Sequence, residues 1–186
     1  MVRGAQILLL PLIVGSWIEA ALFGAERWFS ACAELLSVTP GWPGHLLRKG
    51  FYGATLRGCA VRVSIAFGTL IVHRDAVVGH GVSIGSYCII GCADIGDGAQ
   101  IASRVSVTSG RHQHGSTEDG VDPTMLRLER VAIGAQAWIG EGAIVMANVG
   151  RASIVGAGSV VTRPVPDGTT VAGNPAHPLT TVRSPG

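Results

Sequence analysis

Charge is scarce in this sequence. Only 14% of its 186 residues are Asp, Glu, Lys or Arg, and the net charge is +2. No basic run is interleaved with aromatic residues, so the electrostatic footprint of a nucleic-acid surface is missing and no nucleic-acid partner is expected. Cysteine is sparse too: Cys32, Cys59, Cys88 and Cys92 lack the paired CxxC spacing of a zinc site, and their even number does not by itself make a disulfide framework. They are expected to be reduced, space-filling thiols. In abundance are apolar residues, at 47%, and glycine, at 27 positions. That mixture is unusual for an ordinary soluble globule and demands a large apolar burial, in a repeat core or at a membrane. The length suits one sizeable domain with an attached element.

Between Ala5 and Ala25 the single charge is Glu19, and Ile7 to Val14 is an almost unbroken apolar run behind Arg3. Three readings compete. A secretory signal has this opening, with small residues around Ser30 to Ala33 for cleavage. A membrane span needs about 20 apolar residues, a length met here but interrupted by Pro11 and Glu19. The third reading is a pair of helices on a membrane surface or packed in an oligomer, with Ser16, Glu19, Glu26 and Arg27 on one side and Trp17, Trp28 and Phe29 at the interface. Membrane contact through residues 5–37 is the expectation, against packing as ordinary core. Gly41-Trp42-Pro43-Gly44 is expected to end the element as a turn. Arg48, Lys49, Arg57 and Arg62 then form a loose basic group, facing lipid headgroups or simply solvent.

From Val78 an aliphatic residue followed by Gly or Ala recurs, usually every six positions: Val78-Gly79, Ile84-Gly85, Ile90-Gly91, Ile95-Gly96, Ile101-Ala102. One interval is five. A second block runs Ile133-Gly134, Ile139-Gly140, Val145, Val155-Gly156 and Val161, with two residues missing between Val145 and Val155. Neither a helix nor a two-sided strand has this period. Three hexapeptides close one triangular coil, each aliphatic stacks on its counterpart in the next, and glycine supplies the corners. Val82, Cys88, Ala99, Val105, Ala143 and Ser159 fill the small inward positions. The expected fold is mainly β: a left-handed parallel β-helix with an apolar helical extension, divided as 1–60 extension, 61–178 β-helix and 179–186 tail.

Residues 108–130 break the repeat and are rich in His, Gly, Asp and Glu. A long excursion from a compact solenoid usually carries function. This one contains Ser109-Gly110-Arg111-His112-Gln113-His114-Gly115.

The repeats, this His-bearing loop, Ala137-Trp138-Ile139-Gly140-Glu141-Gly142-Ala143, the coil from Val155 to Thr162 and the closing Ala172-Gly173-Asn174-Pro175-Ala176 together resemble the hexapeptide-repeat acyltransferases. Within that family the likeness is to sugar and polysaccharide O-acetyltransferases of the maltose, galactoside and colanic-acid type. It covers roughly the last two thirds of the chain, and the acceptor is not encoded by these motifs. The resemblance implies acetyl-CoA as co-substrate, no metal, and a homotrimer with each active site between two subunits. A sugar hydroxyl is a poor nucleophile at neutral pH, so an imidazole is needed to take its proton. His112 and His114 are the rival candidates. Trp138 resembles a wall of the acceptor pocket, or else caps the β-helix face. Glu118 and Asp119 orient the histidine or form a solvated pair. Gly140, Gly142, Gly156, Gly158, Ser159, Thr162 and Arg163 lie where the family runs the pantetheine arm and sets cations near nucleotide phosphates. Arg163 stands where many relatives have Lys. Asn174 and Pro175 resemble the segment that closes over CoA.

Alternatives on the same fold are a serine O-acetyltransferase, a zinc enzyme like the γ-type carbonic anhydrases drawing on His73, His80, His112 and His114, and a non-catalytic trimeric scaffold. The acyl-CoA donor is cytosolic, so the catalytic domain is expected on the cytoplasmic side, peripheral on the inner face of the membrane, with the first segment an anchor rather than a cleaved signal. A lipid-linked sugar of an envelope or exported polysaccharide would give such an anchor a purpose.

Overall fold

The computed structural model describes residues 2–110, 114–117, 120–126 and 128–179, the two middle segments by their backbone alone. Short strands stack in parallel into a triangular solenoid, the left-handed β-helix that the hexapeptide period predicts. The first face holds Gly58–Cys59, Val77–Val78, Ala93–Ile95 and Val131–Ile133. It continues through single bridges from Ile133 to Val149 and from Val149 to Val165. The second face runs from Ser64–Ile65 to Thr170–Ala172 and is closed by the antiparallel His177–Pro178. The third runs from Leu70–Ile71 to Val160–Val161.

Register explains the period. On the second face Ile65, Ile84, Ile101, Ile139, Val155 and Val171 are successive partners, each at most 3% exposed. The residue before each points outward, as a pleated strand requires. The apparent gap after Val145 is a shortened side: Val149 takes the inward place with a single bridge and is 2% exposed. Val165 repeats the device one coil later. The coils also begin earlier than the aliphatic-glycine pairs suggest, because Cys59, Ile65 and Ile71 hold the inward places of the first coil without a following glycine.

The N-terminal part holds four helices rather than two: α1 (Val2–Leu8), α2 (Leu10–Phe23), α3 (Arg27–Ser37) and α4 (Gly41–Thr55). The expected turn at Gly41 to Gly44 begins α4 instead of ending the element, since Pro43 lies in a first turn, where its missing N–H costs nothing. A solenoid end leaves its last aliphatics uncovered unless something caps it. Here α3 and α4 do so: Phe29, Phe51 and Tyr52 are fully buried in one core with Ile65 and Ile71, and the Phe29 and Phe51 rings stack at 5.5 Å. Phe29 is therefore core, not an interfacial ring. The Tyr52 hydroxyl accepts the Ile71 N–H at 3.1 Å, and burial pushes its pKa up to about 12.

The expected basic group does not form. Arg48 is buried and donates to the carbonyls of Leu36, Thr39 and Ile65 at 3.0, 2.8 and 3.1 Å. Arg57 is committed to Asp75 and Asp94. The four thiols are free, with Cys32, Cys88 and Cys92 buried and Cys59 half-buried.

Candidate functional site

The excursion leaves the prism at the edge between the third and first faces, after Ser106–Val107. Its neck is tied shut: Thr108 Oγ1 donates to the Gly110 carbonyl at 2.8 Å, and the Glu129 N–H donates to the Ser109 carbonyl at 2.9 Å. Beyond the neck the chain forms an antiparallel hairpin, His114–Thr117 against Gly120–Leu126, with His114 opposite Leu126 and a register shift after it. His114 is thus at the end of a hairpin strand. His112, Glu118 and Asp119 lie outside the described residues.

Hollows line this edge in series. One of about 320 Å³ lies between the neck residues Gly110 and Arg130 and the corners Met146, Asn148 and Thr162. Thr162 and Pro164 are shared with the next, about 440 Å³, which reaches Arg163, Pro175 and His177 at the last coil. In the other direction Arg130 is shared with a hollow of about 330 Å³ that includes Glu26, His73 and Cys92. Glu26 and Asp75 in turn belong also to one bounded by Trp17, Ala20 and Arg74. A row of hollows, each sharing lining residues with the next and together called the edge groove, follows one edge of the prism from α2, past the hairpin neck, to the end of the solenoid.

Two polar clusters shape its upper half. Arg130 pairs with Asp94 at 2.8 Å and with Asp75, while Arg57 pairs with Asp94 at 2.6 Å and Asp75 at 3.4 Å. Two arginines and two carboxylates leave little net charge, and these partly exposed groups order the neck more than they stabilise the fold. Nearby, the Glu26 carboxylate takes the Nδ1 of His73 at 3.1 Å and the N–H of Arg74 at 3.2 Å. The His73 contact, with help from Arg74, holds the Glu26 carboxyl below the usual carboxylate range. This pair was missed as a site feature by sequence reasoning. A signal existed: Ile71 and Val78 are seven positions apart, and His73 sits in the extra length at the corner.

The residues singled out from sequence divide between two edges. Thr162, Arg163 and Pro175 lie on the groove, and Arg163 is exposed there; exposed Asn174 precedes Pro175 through a cis peptide bond. Trp138 projects from the second face, 54% exposed. Gly140, Gly142, Gly156 and Gly158 occupy the edge between the second and third faces. Two of these have structural reasons of their own: a Cβ on Gly140 would lie 2.5 Å from the Ala157 nitrogen, and Gly142 has φ +70°. Ser159 is buried, its hydroxyl accepting the Gly173 N–H at 3.1 Å. This edge is not the one at which the excursion leaves the prism. Among the described residues no three His, Cys, Asp or Glu side chains converge as a metal site would require.

No protein-family model matches the chain. It is 38% identical over 93 residues to the putative lipopolysaccharide biosynthesis O-acetyl transferase WbbJ of Escherichia coli, covering 44% of this chain and 46% of that protein. It is 36% identical over 118 residues to the serine acetyltransferase of the same organism, covering 62% and 40%. The chain thus spans less than half the length of these curated relatives. Among solved structures, a hexapeptide-repeat-containing acetyltransferase from Vibrio cholerae superposes with TM-score 0.62 at 18% identity, over 87% of this chain and 93% of that one. PerB from Caulobacter crescentus, solved with CoA and GDP-perosamine, superposes with TM-score 0.53 at 23% identity, over 68% and 52%. The repeat register and these likenesses agree on a left-handed β-helix of hexapeptide repeats, and the chain is similar in part to acetyltransferases.

Proposed function

We propose that this chain moves an acetyl group from acetyl-CoA to a sugar hydroxyl in the making of an envelope or exported polysaccharide. The observation that carries the reading is the edge groove, which passes the neck of the excursion whose sequence holds His112 and His114 and continues to Arg163 at the last coil. His112 or His114 takes the hydroxyl proton as the sugar oxygen attacks the thioester carbonyl. The tetrahedral intermediate then collapses, the C–S bond breaks, and the departing CoA sulfur receives the proton from the imidazolium. Backbone N–H groups near the corners hold the oxyanion, a contribution of about 3 kcal/mol per donor. The similarity to WbbJ supports the acceptor class, and PerB supports CoA as the donor carrier.

A homotrimer belongs to the same reading. Trp138 lies on the second face and the glycine corners on an edge other than the one the excursion leaves, an arrangement that supports a site shared between two chains. The donor proposed, acyl-CoA, is cytosolic, which supports a catalytic part on the cytoplasmic side.

The test is CoA release by purified protein with acetyl-CoA and a panel of sugars, amino sugars and L-serine. Turnover with sugar hydroxyls that falls on His112→Ala or His114→Ala supports the proposal, and full activity in both variants overturns the assignment of the base. Preference for L-serine would favour the second reading, which the 36% identity to serine acetyltransferase recommends. No acetyl-CoA binding by calorimetry would leave a scaffold.

A further inference from the structure

Helix α2 is inside out for a helix in water. Its polar side chains turn toward the protein: Ser16 is fully buried with its hydroxyl unpartnered, and Glu19 accepts the Trp28 N–H at 2.7 Å. Most of its large apolar side chains turn away. Leu10, Val14, Ile18 and Leu22, four positions apart and so on one face, are 44–69% exposed, and Phe23 at the end is 77% exposed. An uncovered apolar stripe of this kind marks an interaction surface.

Two features identify the occupant. The indole N–H of half-exposed Trp17 donates to the Ala54 carbonyl and that of Trp28 to the Leu12 carbonyl, both at 3.1 Å, so neither ring needs water or a polar partner, which is what hydrocarbon demands. The exposed charge at the two ends of the helix pair is cationic. Glu19 and Glu26 are both partly buried and held in internal hydrogen bonds, whereas Arg3 in the first turn of α1 and Arg27 at the start of α3 are exposed. An uncharged strip with a cationic rim complements an anionic lipid surface.

We propose that the outer face of α1 and α2 docks on an anionic lipid bilayer. No single helix is long and apolar enough to cross a membrane, and α1 and α2 meet at 69°, so the pair lies in the bilayer surface with Leu9 and Ile13 still packed in the protein core. Docking does not depend on the acyl-transfer reading. Its consequence for that reading is an entry route: the groove begins at Trp17 and Ala20, so a sugar carried on a lipid enters at the membrane and meets the hairpin further along the edge.

The test is co-sedimentation of the full chain with vesicles of phosphatidylglycerol and phosphatidylethanolamine, and with vesicles of phosphatidylcholine alone. The wild type pellets with the anionic vesicles, and high salt or Arg3→Glu with Arg27→Glu weakens this. The triple variant Leu10→Gln, Ile18→Gln, Leu22→Gln partitions about two orders of magnitude less while melting at an unchanged temperature, because these side chains make little contact with the rest of the fold. Wild type that stays in the supernatant with both vesicle types overturns the proposal. So does a triple variant that loses oligomers by sedimentation velocity without any change in vesicle binding, which would assign the stripe to a second copy of the chain. Because the readout is binding, the outcome is separate from that of the acetyl-transfer assay.

Discussion

The Nε of Arg48 donates to the carbonyl oxygen of Ile65 at 3.1 Å, fastening α4 to the first coil of the β-helix. The same guanidinium closes the C-terminal end of α3, where Nη1 reaches Leu36 and Thr39. A cation there also opposes the negative end of the helix dipole. Gly44 makes the arrangement possible, since a Cβ on it would lie 1.9 Å from the Thr39 oxygen.

Arg48→Met retains the apolar stem but orphans several buried carbonyls, at a cost of roughly 3–5 kcal/mol. Thermal unfolding should shift down by about 10 °C for a chain of this size. Arg48→Lys should recover part of the loss, because a single ammonium cannot span the Ile65 and Leu36 oxygens together. An unchanged melting temperature for the Met variant would show that solvent replaces these bonds.

Glu26 and His73 form a second tie between the helices and the coils, and it is pH-dependent. The hydrogen bond from His73 favours the charged carboxylate, so the Glu26 pKa is lower in the folded chain than in the unfolded one. Its contribution is complete above the ordinary carboxylate pKa and is lost as the pH falls through the folded value. Melting temperature is therefore expected to fall on the acid side of the carboxylate range, and Glu26→Gln should flatten that limb while lowering stability near neutrality. Identical acid limbs in the two proteins would discount the contact.

Much of this architecture is legible in sequence because the coil imposes a local rule: one inward aliphatic per side, then a corner that wants glycine. Where the rule is obeyed, as at Ile84-Gly85 and Ile139-Gly140, the register follows at once. Where a side is shortened, as at Val149, or lacks glycine, as at Ile65-Ala66, the pattern is lost although the packing continues. The helical cap is less legible. Phe29, Phe51 and Arg48 are placed by contacts with a solenoid end that no periodicity announces, and Arg48 reads as a surface cation until its carbonyl partners are seen. The candidate site stands between these cases. The broken repeat marks the edge where the hairpin emerges, but the Glu26–His73 pair joins residues 47 positions apart, beyond the reach of any motif.

The thiols should be inert. Burial raises the pKa of all four, that of Cys59 to about 11, and the thiolate is the reactive form. Iodoacetamide near pH 7.5 should leave the native chain essentially unmodified and label all four cysteines in guanidinium chloride. Rapid labelling of a native thiol together with loss of acetyl transfer would point to a thiol in the chemistry.

Gly140 and Gly142 separate packing from ligand binding at the edge proposed for the pantetheine arm. Gly140→Ala drives a Cβ to 2.5 Å from the Ala157 nitrogen of the next coil, so it should cost roughly 2–3 kcal/mol whether or not CoA binds there. At Gly142 nothing lies within 4 Å of a Cβ, and the penalty is that of the left-handed backbone at φ +70°, about 1–2 kcal/mol. If the arm runs along this corner, Gly142→Ala should raise KM for acetyl-CoA several-fold while KM for the sugar stays unchanged and the chain remains folded at assay temperature. A Gly142→Ala variant with wild-type KM for acetyl-CoA would place the arm elsewhere, and the edge groove near Arg163 and Pro175 would then be the surface to mutate.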